Sequence, residues 1–183
     1  MEENIFIYRI DKYDKIRYVS DNWQIFANQN GWNGEIRPDA VIGKWLWDFI
    51  QGAETQHLYE ELFQKVRIGK AIGPIPFRCD SPDERRYLEL LLKPMPDNNI
   101  EILSTIVRTE DRESVNALKE DECSSHGFVR ICSMCKKIDI DKDNWVELEE
   151  GLSYLKLFEE HEVPCLTHGL CSACYEVAMS DLD

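Results

Sequence analysis

Residues 73–110 read GPIPFRCDSPDERRYLELLLKPMPDNNIEILSTIVRTE. They hold three β-rich runs, 73–82, 85–96 and 99–110, separated by DSPDE and PDNN. Asp, Asn, Ser and Pro bond or pre-set their own backbone in tight turns, so both separators read as turns. Successive strands joined this closely pair antiparallel. Working back from these runs, NIFIYRID (4–11) alternates, with Ile5, Ile7 and Arg9 opposite Phe6, Tyr8 and Ile10. IRYVS (16–20) follows the polar KYDK, Ile16, Tyr18 and Ser20 opposing Arg17 and Val19, which completes a hairpin signature.

The stretch between the two strand groups is helical in pattern. DNWQIFANQNG (21–31) is a short helix that Ser20 or Asp21 can cap and Asn30-Gly31 stops. AVIGKWLWDFIQG (40–52) reads as short or broken helix. In ETQHLYEELFQKVRIGKAIG (54–73), Leu58, Leu62 and Val66 recur at helical spacing, and Gly69 ends the run. Strands at both ends of a helical block predict an α+β fold, a five-stranded antiparallel sheet with helices on one face. Neither the strand-helix alternation of a parallel sheet nor a glycine-rich phosphate loop is present.

Twenty-one basic residues stand against 35 acidic ones in 183, a net charge of -14. That surface repels phosphate, so neither nucleic acid nor an anionic membrane is expected as a partner. No window approaches the ~18 uninterrupted apolar residues that span a bilayer. MEENIFIYRIDKYDK has neither the basic nor the apolar region of a signal peptide. A cytoplasmic location is the expectation, and there seven cysteines are a metal or redox set before they are a disulfide framework.

Four of the seven form two pairs, CSMCKK (132–137) and CSAC (171–174). Residues 128–132 alternate as a strand running into the first pair. Trp145, Leu148, Leu152, Leu155 and Phe158 then recur at steps of three and four, predicting a helix over 145–158. Two Cys-x-x-Cys pairs supply four soft ligands for a tetrahedral ion. The 35 residues between Cys135 and Cys171 exceed the ~15–20 of a compact zinc ribbon, and the predicted helix fills the excess. A tail of some 60 residues has a small core and needs a staple. The expected ligands are Cys132, Cys135, Cys171 and Cys174, and the expected ion is structural Zn²⁺. The same residues also suit iron or a dithiol–disulfide switch. His168 stands either in place of one cysteine or behind the thiolates as a donor. Lys136 and Lys137 either offset the thiolate charge or are plain surface lysines. Cys79 and Cys165 read as small buried hydrophobes, Cys165 with the alternative of a redox partner.

No catalytic residue is expected. Four thiolates close a zinc site against substrate. His57 lies among glutamates on a helix face, and His126 and His161 sit in polar segments without a paired nucleophile. Trp23, Phe26, Trp45, Trp47, Phe49 and Phe77 are candidates to line a space between sheet and helices, for a ligand that the sequence does not name.

The order β-β-α-α-α-β-β-β over 1–109 resembles the PAS sensory fold. The stretches VSDNWQIFA (19–27), VIGKWLWDFIQGAET (41–55), PFRCDSPDERRYLEL (76–90), CSMCKK and THGLC (167–171) resemble a bacterial PAS-like family found alone or near histidine-kinase and response-regulator systems. The closing His-Gly-x-Cys-x-x-Cys is similar to the tail of some response regulators, with Leu170, Ser172 and Ala173 departing from its usual Ile, Pro and polar residue. The resemblance implies a non-catalytic signalling or sensory protein: a PAS-like domain at 1–109, a helical linker at 110–123 and a metal-binding module at 124–183. Its partner would be a protein of a signalling pathway, and the linker leaves a homodimer open. A thiol redox sensor or redox enzyme is the alternative.

Overall fold

The computed structural model of the chain describes residues 4–23, 38–115, 118, 123–155 and 163–180. The three runs of 73–110 are strands β3 (Ile72–Arg78), β4 (Glu84–Pro94) and β5 (Ile100–Asp111). Each is antiparallel to the next. The PDNN turn works because Asp97 and Asn98 take φ of 61° and 60°, a left-handed conformation that Asp and Asn tolerate better than other side chains. β5 pairs in turn with β1 (Ile5–Ile10), and β1 with β2 (Ile16–Val19), giving the antiparallel order β2-β1-β5-β4-β3. Ile16 and Val19 are both buried although three residues apart. A register shift between Arg9 and Ile10 breaks the strict alternation expected along β2.

Helix α1 (Pro38–Val41), a 3-10 turn (Leu46–Asp48) and helix α2 (Ala53–Arg67) lie between β2 and β3. The expected helix over 21–31 falls, beyond Trp23, outside the described residues. α2 buries Leu58, Leu62, Phe63 and Val66 in one cluster with Ile72, Ile75, Leu90, Leu92, Ile100 and Ile102 of the sheet. Each such side chain contributes about 1.5–3 kcal/mol of transfer free energy.

Of the expected linker 110–123, Glu110 and Asp111 continue β5 and residues 112–115 are irregular, with Val115 buried. Positions 116–117 and 119–122 lie outside the described residues. The remaining elements are β6 (Cys123–Cys132), β7 (Ile138–Asp139), β8 (Trp145–Val146), α3 (Leu148–Tyr154), β9 (Val163–Gly169) and α4 (Ser172–Ser180). Their sheet has the order β8-β7-β6-β9, with β6 and β9 parallel. The helix predicted from Trp145 begins instead at Leu148, because Trp145 and Val146 pair with Asp139 and Ile138 of β7. Val129, Ile131, Ile138, Leu148 and Leu152 form a second apolar cluster with Val115. Gly151 lets α3 lie close over β7, since a Cβ there would overlap the Ile138 side chain.

A charge network, buried at Arg78, Asp80 and Arg112 and partly exposed at Arg85, Glu147 and Glu149, links the first sheet to the start of α3. Asp80, fully buried, pairs with Arg78 at 2.5 Å and Arg112 at 3.2 Å. From the other side Glu147 reaches Arg78 at 2.8 Å, and Glu149 reaches Arg85 at 2.7 Å and Arg112 at 3.3 Å. Three guanidiniums meet three carboxylates, so the cluster is neutral, which burial requires. Burial raises the Glu149 carboxyl, but the hydrogen bond from Arg85 and the charges of Arg85 and Arg112 outweigh it and hold it below the usual glutamate range.

Asp80→Asn keeps the shape and leaves two buried guanidiniums short of charge, so stability by urea denaturation should fall by about 3 kcal/mol or more. A loss under about 1 kcal/mol would put this network on the footing of a surface ion pair. Because the folded Glu149 is depressed, its stabilisation is present above the ordinary glutamate range and fades as pH falls through the folded value. The stability gap between wild type and Glu149→Gln should therefore narrow as urea titrations move from pH 7 into acid.

Candidate metal centre

The parallel pairing of β6 and β9 sets Ile131 against His168 and Cys132 against Gly169. Both strands thus end side by side, and each leads directly into a Cys-x-x-Cys pair. At the first, the chain turns back on itself: the Lys136 N–H donates to the Cys132 carbonyl at 3.0 Å, and the Cys132 N–H to the Lys137 carbonyl at 2.8 Å. Lys136 takes φ of 61°, and its ammonium donates to the Ser133 carbonyl at 3.0 Å. Lys136 is therefore bonded to the turn rather than left as a plain surface lysine. At the second pair, Cys171 stands just before α4. The Cys174 amide donates to the Cys171 sulfur at 3.4 Å, the position where an N-cap oxygen usually accepts.

The four sulfurs of Cys132, Cys135, Cys171 and Cys174 lie within 4.8 Å of one another, and those of Cys135 and Cys171 are 3.8 Å apart. A tetrahedron with metal–sulfur bonds near 2.3 Å has edges of about 3.8 Å, so the quartet is sized for one ion. Cys132 and Cys171 are buried, and Cys135 and Cys174 are half-buried. The Cys171 amide donates to the Cys132 sulfur at 3.4 Å, a bond that favours thiolate.

The electrostatics of the quartet are compatible with a bound cation. Hydrogen bonds from the Cys135 and Cys174 thiols hold Cys132 well below the usual thiol value. The same sharing pushes Cys135 up to about 12 and Cys174 well above its ordinary value. One sulfur ionises readily, and each further negative charge in the same small space resists. A divalent cation removes that resistance and lets all four bind as thiolates. The chemistry of the donors fits a soft or borderline-soft metal.

His168 is not among the four gathered metal-binding candidates. It is half-buried, and its Nδ1 is buried without a hydrogen-bond partner. Burial, then the charge of Lys136, push its pKa down. Cys79 is free and half-buried, its thiol raised by burial. Cys165 differs from the expectation of a buried free thiol, because it is disulfide-bonded. His57 is exposed and 4.0 Å from Glu60, while His161 and the side chain of His126 lie outside the described residues.

Four contacts close to the quartet carried no local signal in the sequence. The Thr55 hydroxyl donates to the Ser133 hydroxyl at 2.9 Å, and the Arg78 N–H to the Met134 carbonyl at 2.6 Å. Arg130 reaches Glu54 at 2.7 Å. A Cβ on Gly52, whose φ is 88°, would stand 2.7 Å from the His168 carbonyl oxygen, so this approach needs glycine. Apart from these contacts, a cavity of about 210 Å³ is lined by Tyr8, Ile16, Val19, Trp23, Val41, Leu46, Phe49 and Ile50. Of the aromatics expected around such a space, Trp23 and Phe49 line it. Trp45 is exposed, Trp47 packs on Phe63 and Phe77 packs against the core. Phe26 lies outside the described residues.

Among the described residues, no helix is long and apolar enough to cross a membrane. Neither any protein-family model nor any curated protein matches the chain.

Replacing any one of Cys132, Cys135, Cys171 or Cys174 by Ser should cut the bound metal measured by elemental analysis at least about tenfold. Cys79→Ser should leave the metal content at the wild-type level, because that thiol stands outside the quartet.

Proposed function

We propose that this chain is a non-catalytic, cytoplasmic sensory or signalling protein: a PAS-like α+β half joined to a cysteine-rich part built on one structural Zn²⁺. The observation that carries the proposal is the gathering of four sulfurs within 4.8 Å beside the core of the antiparallel sheet. Four thiolates complete the tetrahedral coordination that zinc prefers and leave no position for substrate or water. The order β2-β1-β5-β4-β3, with the helices inserted between β2 and β3, supports the PAS-like reading. So does the cavity lined by Tyr8, Trp23, Phe49 and Ile50 among others, a place for a small apolar ligand. The output would be contact with a protein partner, since the acidic surface disfavours phosphate backbones.

A second reading, a thiol redox sensor, is favoured by the disulfide at Cys165, on the strand β9 that leads into the second cysteine pair. Cytosolic disulfides are usually transient or sensing.

Metal analysis with a UV–visible spectrum, on protein purified with and without oxygen, tests both readings. The zinc reading expects about one zinc per chain and a colourless solution. Strong visible colour would replace zinc with iron. Protein without metal, whose four thiols oxidise and reduce reversibly, would replace the structural site with the redox reading.

A further inference from the structure

The quartet is built into the first half of the chain as much as into the second. Cys132, Met134, Leu170, Cys171 and Ala178 are buried in the same apolar cluster as Leu58, Leu62, Phe63 and Val66 of α2 and Ile72 and Ile75 of β3. Both residues between the first two ligands are bonded across this junction: Ser133 to Thr55 of α2, and Met134 to Arg78 at the end of β3. Thr55 is only 4% exposed, so losing its partner there is costly.

The first turn of α2 depends on these bonds. Its N-cap, Gly52, offers no side chain to the free amides, leaving the turn without the usual cap. Thr55–Ser133 and Glu54–Arg130 hold it from the cysteine side. On the other side the Gln56 side chain donates from Nε2 to the Ile50 carbonyl at 2.8 Å, and Ile50 lines the cavity. A continuous set of contacts therefore runs from the Cys132–Cys135 turn through the start of α2 to the cavity wall.

We propose that a thiophilic divalent cation at the quartet is a regulatory ligand of the first half of the chain, an inference that rests on the metal reading above. With the ion bound, four fixed sulfurs hold the Cys132–Cys135 turn, and the turn orders the start of α2, the end of β3 and the Ile50 wall. Without it, the sulfurs have no common centre, Ser133 and Met134 move off their partners, and the uncapped first turn of α2 opens. Metal availability then sets the order of the cavity wall, a coupling that is reciprocal for any ligand bound there.

Hydrogen exchange read by mass spectrometry on the full chain tests this, comparing zinc-loaded protein with protein stripped by a chelator under reducing conditions. Stripping should speed exchange at 50–58 and 75–79 about tenfold, while the pairing of β1 with β5 keeps its protection. Thr55→Val, which retains all four sulfurs, should bind zinc at the wild-type stoichiometry and yet exchange quickly at 50–58 even when loaded. A chain that takes up no zinc overturns the metal reading and this inference with it. Zinc uptake with a response confined to 163–180 overturns the inference alone, as does zinc-dependent protection at 50–58 that survives Thr55→Val. Uniform loss of protection, β1 included, also overturns it, because the ion would then hold the whole fold rather than one wall.

Discussion

The parallel register of β6 against β9 places Cys132 beside Gly169, and the cysteine site follows from it. Two strands that end together can deliver two turns to one point, where antiparallel neighbours would send them to opposite ends. The intervening chain must then travel the length of the strands and return. β7, β8 and α3 occupy that path, and Val129, Ile131, Ile138, Leu148 and Leu152 give it a core. The separation of the two cysteine pairs, long for a zinc ribbon, is the length of a crossover connection.

The same register carries the junction between the two sheets. β6 has apolar neighbours on two sides: Val129 and Ile131 enter the smaller cluster, and Cys132 enters the larger one with α2. Around that junction the chain places arginines of β3, β4 and the segment after β5 against Glu147 and Glu149. In a protein of net charge -14, the buried guanidiniums of Arg78 and Arg112 are costly unless matched, and Asp80, Glu147 and Glu149 match them. Apolar packing supplies the attraction between the halves, and the charged network fixes the geometry in which they meet.

Much of this was legible in local pattern. The turns at 80–84 and 97–98, the hairpin of β1 and β2, the stripe of α2 and the four cysteines that cluster were all readable from spacing and composition. Patterns failed where a distant partner decided the outcome. Trp145 and Val146 fit a helical stripe, yet they pair with β7, because a sheet edge offers hydrogen bonds that a helix terminus lacks. Ile16 and Val19 point the same way because β1 imposes a shifted register. Cys165, which reads as a small hydrophobe, forms a disulfide, and bonding across a fold leaves no trace in the spacing of neighbours.

Local sequence pattern specifies the α+β class, the pairing of 73–110 into antiparallel strands and the identity of the thiol quartet. These rest on short-range physics: turn residues with special backbone preferences, apolar periods of 2 and 3.6, and ligand pairs three residues apart. The packed fold alone bonds Ser133 and Met134 to Thr55 and Arg78 and buries the Asp80 carboxylate between two arginines. Such contacts join residues far apart in the chain through single hydrogen bonds, and no periodicity encodes them. They exist because the two apolar clusters fix where each surface lies.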